Sequence, residues 1–372
     1  MLSRLYTDSS QYSPLGRICR RLGRHIGGPI ERLARREIAG IPPEKIFSTD
    51  AVFWSDLFRL RRDPPIVLCH RRHKTLSRVM LQWGTADADT VYVMYHEDLD
   101  FVRYAKDQGL KIVVDVFVHP MTDRIVNREC LNHPGWGMLT SANILEFADG
   151  LIRQAVDLAD VVLCPSQWVA QGVAALSPAD APKVRICPYG SSIAYSGRVD
   201  DPAPGRVFYA GGCPVRKGLP DLARAADILK PKYPHMDFRV AGITDRVICR
   251  RPECRNLTFL GNLSGAAMQE EFLSADMFVL PTHAEGLASA VVEAIAAGCP
   301  VITTRRAGVS IHDGVDGVLL APGDADSLVA AVERIYCDRG LRAMLSANTK
   351  RLAGEYTMEA WKGRLVNVLR EV

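Results

Sequence analysis

The sequence predicts an α/β protein of doubly wound parallel sheets, and three observations carry that reading. Short apolar runs of strand length alternate with helical patterns through most of the 372 residues. Most of these runs lack period-two alternation, as strands covered on both faces do. A polar stretch rich in Gly, Pro and Asp, 197–205, then interrupts the series, which restarts at Arg206. Two such domains are expected, 1–198 and 204–345, followed by C-terminal helices in 346–372. At roughly 100–200 residues per domain the chain is long enough for both.

Along the chain, the first forty residues stand apart. They hold eight arginines against Asp8, Glu31 and Glu37, a net of +5. Leu15, Ile18, Leu22 and Ile26 recur at helical spacing beside Arg17, Arg20, Arg21 and Arg24. Such a basic amphipathic helix suits an anionic membrane surface. The plainer alternative is a solvated charged face over a core, and Gly23, Gly27, Gly28 and Pro29 end the helix early. Strands are expected at Ile66–Cys69, Thr90–Tyr95, Lys111–Val116, Val161–Cys164 and Val184–Cys187. Beyond the linker they are expected at Arg206–Ala210, Phe238–Ala241, Leu257–Leu260, Met277–Leu280 and Pro300–Thr303. Helical patterns fall at Leu219–Leu229, Ala266–Phe272, 288–297 and Met358–Val372.

Composition excludes several classes. With 48% hydrophobic and 24% charged residues the chain is neither disordered nor fibrous. Forty-six Lys and Arg against 42 Asp and Glu leave +4, too small an excess to point to nucleic acid. The longest small-and-apolar stretch, Leu287–Ile302, is broken by Glu293, Gly298 and Pro300, short of the ~20 apolar residues a spanning helix needs. No apolar secretory region separates Met1 from Arg4 and Asp8. Ten scattered cysteines, several inside apolar runs, read as reduced thiols of a cytoplasmic protein. Cys249 and Cys254 are close, but no second Cys/His pair completes a zinc site with them, and no metal is expected.

Two stretches carry chemistry. In Pro281–Thr304 a strand runs through a Gly-containing turn into a helix, then through Gly298 into another strand. Glu285 stands in the turn and Glu293 eight residues on, 800° of ideal helix and so near the same side. Gly286 lets backbone approach a ligand closely, and free N–H groups at the helix start suit a phosphate. Two carboxylates beside a phosphate site call for sugar or ribose hydroxyls. The plainer readings are a helix-start carboxylate for Glu285 and a surface position for Glu293. An unpartnered carboxylate in so apolar a helix would be costly, which favours a partnered role. In Val207–Gly218 a second strand ends in a loop with Gly211, Gly212, Arg216, Lys217 and Gly218. Cations gain nothing from a helix N-terminus, so this pair makes sense if an anion lies between the loops; the alternative is two solvated charges. Neither GxxxxGK[ST] nor GxGxxG occurs in these loops.

Together the stretches resemble the family 4 retaining glycosyltransferases of GT-B architecture. The family's E-x7-E block stands here as Glu285, Glu293, Ala297, Gly298, Pro300, Val301 and Ile302. Its upstream glycine-and-lysine loop stands as Gly211, Gly212, Arg216, Lys217 and Gly218. Ala159–Ser166 and Ile186–Gly190 are also family-like, and the likeness runs best from about 155 to 345. It implies two Rossmann-like domains facing a cleft, with 1–198 on the acceptor side, 204–345 binding a nucleotide-sugar donor, and a C-terminal helix. It implies that Lys217, with Arg216, holds the donor diphosphate, that Glu285 contacts the donor sugar, and that Glu293 binds the ribose. Backbone N–H groups of Gly286, Leu287, Ala288 and Ser289 would face phosphates or sugar. Ser166 matches an interdomain position, His119 a histidine near the donor sugar, and Asn262 and Leu263 the place of the base. Gly212 stands where the family often has Arg, which leaves the diphosphate to Lys217 and Arg216. The family's opening strand and Gly-rich loop are expected to be missing ahead of Leu2–Asp8.

The reading is therefore a metal-independent, cofactor-free, retaining sugar transfer from a nucleotide-sugar to a carbohydrate or lipid-linked acceptor. It would serve polysaccharide or glycolipid assembly, in the cytoplasm or at the inner face of the membrane, with no nucleic-acid partner. A non-catalytic nucleotide-sugar-binding scaffold is the alternative of another class. Metal-dependent transfer through Asp98-Leu-Asp100 or Asp87-Ala-Asp89, and epimerisation of the free donor, are further alternatives.

Overall fold

The computed structural model describes residues 4–7, 13–15, 17–18, 41–52, 65–96, 99–191, 195 and 202–372. The expected basic helix, the linker before residue 202 and Asp98 lie wholly or mostly outside them. Contacts divide the chain into two units: Met1–Asp115, Ala142–Val162 and Val372, and Val116–Ser141 with Leu163–Glu371.

In the first unit, β1 (Leu5–Thr7) pairs in parallel with β2 (Ile46–Ser48), and β3 (Thr90–Met94) with β4 (Lys111–Asp115). β5 (Val161–Cys164) lies across the division between the units, and β6 (Val184–Ile186) falls in the second. The core comprises Ile112, Val113 and Val114 from β4, Phe101, Val102 and Ala105 from the helix Leu99–Asp107, and Ile152, Ala155 and Val156 from the helix Ala142–Leu158. Tyr6 stacks on Trp83 at 5.6 Å and meets Phe47 and Phe101 edge-on, which fastens the small sheet to the end of the helix Pro65–Trp83.

That helix corrects an expectation: Ile66–Cys69 is helical, not a strand. Its four apolar residues begin a 19-residue helix that continues through Leu76, Val79 and Met80 at helical spacing. An apolar run of this length does not by itself distinguish strand from buried helix.

In the second unit, six strands form one parallel sheet in the order β12-β11-β10-β7-β8-β9. They are β7 (Arg206–Ala210), β8 (Asp237–Ala241), β9 (Leu257–Gly261), β10 (Met277–Leu280), β11 (Val301–Thr304) and β12 (Val318–Leu320). The central strands are buried along almost their whole length, the pattern their unbroken apolar runs predicted. Phe208, Phe272 and Phe278 pack around one another beneath them at 5.0–5.9 Å. From β7 the chain winds outward through β8 to β9, returns to β10, and winds the other way to β12. The carboxyl ends of β7 and β10 are therefore the topological switch point, where such sheets bind ligands. Buried Asp276, just before β10, receives both guanidinium nitrogens of Arg339 at 2.6 and 2.7 Å and the Gly205 N–H at 2.9 Å. The chain closes with the helices Arg339–Leu352 and Met358–Glu371. Among the described residues no helix is long and apolar enough to cross a membrane.

Candidate active site

Two loops converge at the switch point. The first follows β7 and folds tightly on itself: Lys217 N–H donates to the Cys213 carbonyl at 3.0 Å and Gly218 N–H to Val215 at 3.1 Å. Gly218 is left-handed (φ 72°), and a Cβ there would stand 2.2 Å from the Pro281 carbonyl oxygen. Only glycine lets the loop turn into the helix Leu219–Lys232 against its neighbour. The second loop, Pro281–Ala288, is buried almost throughout. Thr282 Oγ1 and His283 N–H both donate to the Arg216 carbonyl, at 2.9 and 2.8 Å, so one loop anchors the other.

Arg216, Lys217 and Glu285 meet on this frame. Arg216 Nη1 donates to Glu285 Oε2 at 2.7 Å, and Lys217 Nζ lies 3.1 Å from Oε1. The second contact is a charge pairing alone: buried Oε1 receives no hydrogen bond among the described residues. Burial opposes the Arg216 charge, but Glu285 and Cys213 outweigh it and hold the guanidinium above its ordinary pKa. Tyr209, fully buried in β7, is pushed well up by burial and by the Glu285 charge. Glu293 lies on the helix Ser289–Ala296, where burial raises its carboxyl and Lys217 partly offsets the rise. Because that helix begins only at Ser289, Glu285 is not on it, and Glu293 is one turn in. The 800° relation does not hold; Lys217 is the group whose charge both carboxylates feel.

The backbone behind Glu285 alternates. Glu285 N–H donates to Arg306 and Ala288 N–H to Ala307, at 3.0 and 2.8 Å, so the Ala288 amide expected to face a ligand is already taken. The N–H groups of Gly286, Leu287, Ser289 and Ala290 meet no acceptor among the described residues. Ser166 Oγ donates to the Gly286 carbonyl at 2.7 Å and, as N-cap of the helix Gln167–Leu176, accepts from Val169 N–H at 3.3 Å. A Cβ at Gly286 would fall 1.7 Å from the Phe117 carbonyl oxygen, and one at Gly308 2.0 Å from that of Gly286. Two cations, a carboxylate oxygen without a donor and a row of open amides suit an anionic, hydroxyl-bearing ligand.

His119 is buried close by, in a different setting. Its ring stacks on Trp168 at 3.9 Å between centroids, and Arg306 stands over the same indole at 5.3 Å. Its Nδ1 accepts the Met121 N–H at 3.1 Å, which places the proton of the neutral ring on Nε2. Burial, and then the Arg306 charge, lower its pKa to about 4. Arg306, Trp168, Gln171, Leu319, Leu320, Ala321, Pro322 and Arg305 line a cavity of about 420 Å³.

Residues 204–338 match the family model described as glycosyl transferases group 1. Through this segment the chain is similar to the group 1 glycosyltransferases. The glycogen synthase of Mycobacterium tuberculosis H37Rv is 27% identical over 59% of the chain and 55% of its own length. The phosphatidyl-myo-inositol mannosyltransferase of Mycolicibacterium smegmatis is 28% identical over 55% of the chain and 51% of its own length. The chain thus spans about half the length of the curated relatives it matches. Among solved structures, sucrose-phosphate synthase from Thermosynechococcus elongatus aligns over 84% of the chain and 81% of its own, with a TM-score of 0.65 and 17% identity. Anabaena HepE in complex with UDP-glucose aligns over 98% and 99%, at 0.61 and 13%. These likenesses bear out the GT-B fold class.

The structure unites several of the residues picked from sequence. Gly211, Arg216, Lys217 and Glu285 are in contact, with Lys217 Cδ only 2.1 Å from where a Gly211 Cβ would stand. Ser166 and Gly286 share a hydrogen bond. Gly212 is exposed, with its nearest neighbour 3.5 Å from a Cβ. Asn262 is exposed, Leu263 packs on the core, and no hydrogen bond or ion pair joins them or His119 to Glu285 among the described residues. Sequence reasoning missed Arg306 and Trp168. It also missed buried His283, whose Nε2 lies 3.3 Å from Asp221 Oδ2. The pair Arg305-Arg306 directly after β11 was the one available signal.

Proposed function

We propose that this chain is a retaining glycosyltransferase that moves a sugar from a nucleotide-sugar donor to an acceptor hydroxyl in glycan or glycolipid assembly. The observation that carries the reading is Glu285: a buried carboxylate, held by two cations, with one oxygen lacking a donor beside four open amides. In our reading the donor diphosphate takes Lys217 and Arg216 from Glu285 and lies against the amides of Gly286, Leu287, Ser289 and Ala290. Glu285 Oε1 is then left to accept hydroxyl hydrogens of the donor sugar. Glu293 accepts from the ribose, Asn262 and Leu263 border the base, and neutral His119 donates from Nε2 to the sugar. The anomeric C–O bond to the diphosphate breaks as the acceptor oxygen bonds to the same face of that carbon. The leaving diphosphate takes the acceptor proton while Lys217 offsets its growing charge. No metal is assigned to this step.

The assignment places donor binding in 204–345, acceptor binding in 1–198 and the closing helices in 346–372. The matched family segment lies inside the first of these. The arginines of the first forty residues support a cytoplasmic protein in peripheral contact with anionic lipid.

The test is nucleotide release from UDP-, GDP- and ADP-sugars in EDTA, for the wild type and Lys217→Ala. Release from one donor, lost in the variant, supports the reading and names the donor. Equal release by both proteins overturns the site. Donor binding with no transfer to any acceptor overturns the activity in favour of a scaffold.

A further inference from the structure

A second cluster, remote in sequence from the donor loops, has the chemistry of a metal centre. Cys69 and His73 are four residues apart on the helix Pro65–Trp83, so both lie on one face of it. His96 follows β3, at the carboxyl end of that strand. One ligand atom from each of the three lies within 4.8 Å of the other two, and all three residues are half-buried, so an ion has a path to them.

The hydrogen bonding fixes the tautomer of His73. His73 Nδ1 lies 2.8 Å from the His96 carbonyl oxygen. A carbonyl only accepts, so Nδ1 carries the proton and the lone pair of the neutral ring is on Nε2. A ring nitrogen donating to a backbone carbonyl is the usual support of a metal-bound histidine, because it sets the tautomer and the ring direction. Cys69 Sγ stands 3.9 Å from both ring nitrogens of His73, of which Nε2 has the free lone pair. A tetrahedral ion with metal–sulfur and metal–nitrogen bonds of about 2.3 and 2.0–2.1 Å sets that separation at about 3.6 Å. This pair is a few tenths of an ångström wider than in a closed centre, and the three ligand atoms lie within 4.8 Å of one another.

We propose that Cys69, His73 and His96 form a binding site for a borderline divalent transition-metal ion, Zn²⁺ in the first instance. One thiolate and two imidazoles suit zinc and exclude calcium or magnesium, which take oxygen ligands. Three protein ligands leave a fourth position for water. The ion would tie the helix Pro65–Trp83 to the end of β3.

The test uses the full chain, freed of metal by a chelator and titrated with Co²⁺. The expected result is one equivalent bound, with a thiolate-to-metal charge-transfer band and the visible bands of a tetrahedral centre, both abolished by Zn²⁺. Cys69→Ser should remove the charge-transfer band and His96→Gln should weaken Co²⁺ binding by about 100-fold or more, at or beyond the upper end of what loss of a supporting partner costs. Circular dichroism checks that both variants fold. Cys337→Ser, at an exposed thiol, should change nothing. A Zn²⁺-dependent rise in melting temperature, lost in Cys69→Ser, is the second readout. No tetrahedral spectrum in the wild type, or a spectrum and affinity unchanged in both variants, overturns the proposal.

Discussion

Arg216 Nη1 and Glu285 Oε2 stand 2.7 Å apart, so the cation that would serve a donor diphosphate is already paired within the protein. A donor bound as proposed would compete with an internal carboxylate for this guanidinium and for Lys217. Removing the carboxylate charge should then have two opposite effects. Glu285→Gln is expected to bind free nucleoside diphosphate several-fold more tightly at low salt and to lose about 10²-fold in turnover. Calorimetry and steady-state kinetics on one preparation read both. Tighter binding with unimpaired turnover would show that Glu285 only restrains the cations.

Lys217→Ala should cost about 10²–10³-fold in kcat/KM, the scale of a lost electrostatic donor at a developing charge. Lys217 is reachable by solvent, so its melting temperature should stay close to that of the wild type. Equal losses in stability and in rate would argue instead for a structural ion pair.

The glycines of the two loops should separate sharply. Gly286→Ala drives a methyl group to 1.7 Å from backbone that cannot yield, and a loss of about 3–5 kcal/mol, or failure to fold, is expected. Gly212→Ala meets only an ordinary contact at 3.5 Å and should stay within about 0.5 kcal/mol of the wild type. Chemical denaturation of the pair checks both.

Ser166→Ala removes a buried hydrogen bond and a helix cap together. The orphaned Gly286 carbonyl should cost about 1–3 kcal/mol and the cap about 1 kcal/mol. Calorimetry should show a clearly lower melting temperature, restored in part by Ser166→Thr.

His119 sets an expectation for acid. Its folded pKa is lowered to about 4 by burial and then by Arg306, while an unfolded histidine titrates at about 6.5. Below about 6.5 the unfolded chain takes a proton that the folded protein refuses. Stability should therefore fall as pH drops from about 6.5 to about 4, and change no further on this account outside that window. Denaturation midpoints between pH 7 and 4.5 should show the fall, and His119→Gln should flatten it.

What the sequence disclosed, and what it withheld, follows from how local each signal is. Five of the six strands of the larger sheet, all but β12, were legible because each is a largely apolar run bounded by Gly, Pro or charge. Ile66–Cys69 misled because four apolar residues carry no period. β1, β2 and β12, three residues each, were not read from the sequence, whereas the equally short β6 was. The Arg216–Lys217 and Glu285 loops could be read because both end strands and both hold glycine. The stack of His119 on Trp168 under Arg306 joins three distant segments, and the nearness of His283 to Asp221 joins two more, so neither leaves a local pattern. Glu285 and Glu293 were placed near one side by taking eight residues at ideal helical rotation, whereas the chain stays in buried loop until Ser289, with the amides of Glu285 and Ala288 taken by Arg306 and Ala307.

The hydroxyl of Ser166 reaches across 120 residues of sequence to a single carbonyl oxygen. A peptide unit is flat and trans, so its C=O and its N–H point in opposite directions. Gripping the oxygen of Gly286 therefore also aims the hydrogen of Leu287, on the far side of the same plane. The serine hydroxyl thereby becomes a rudder for that amide.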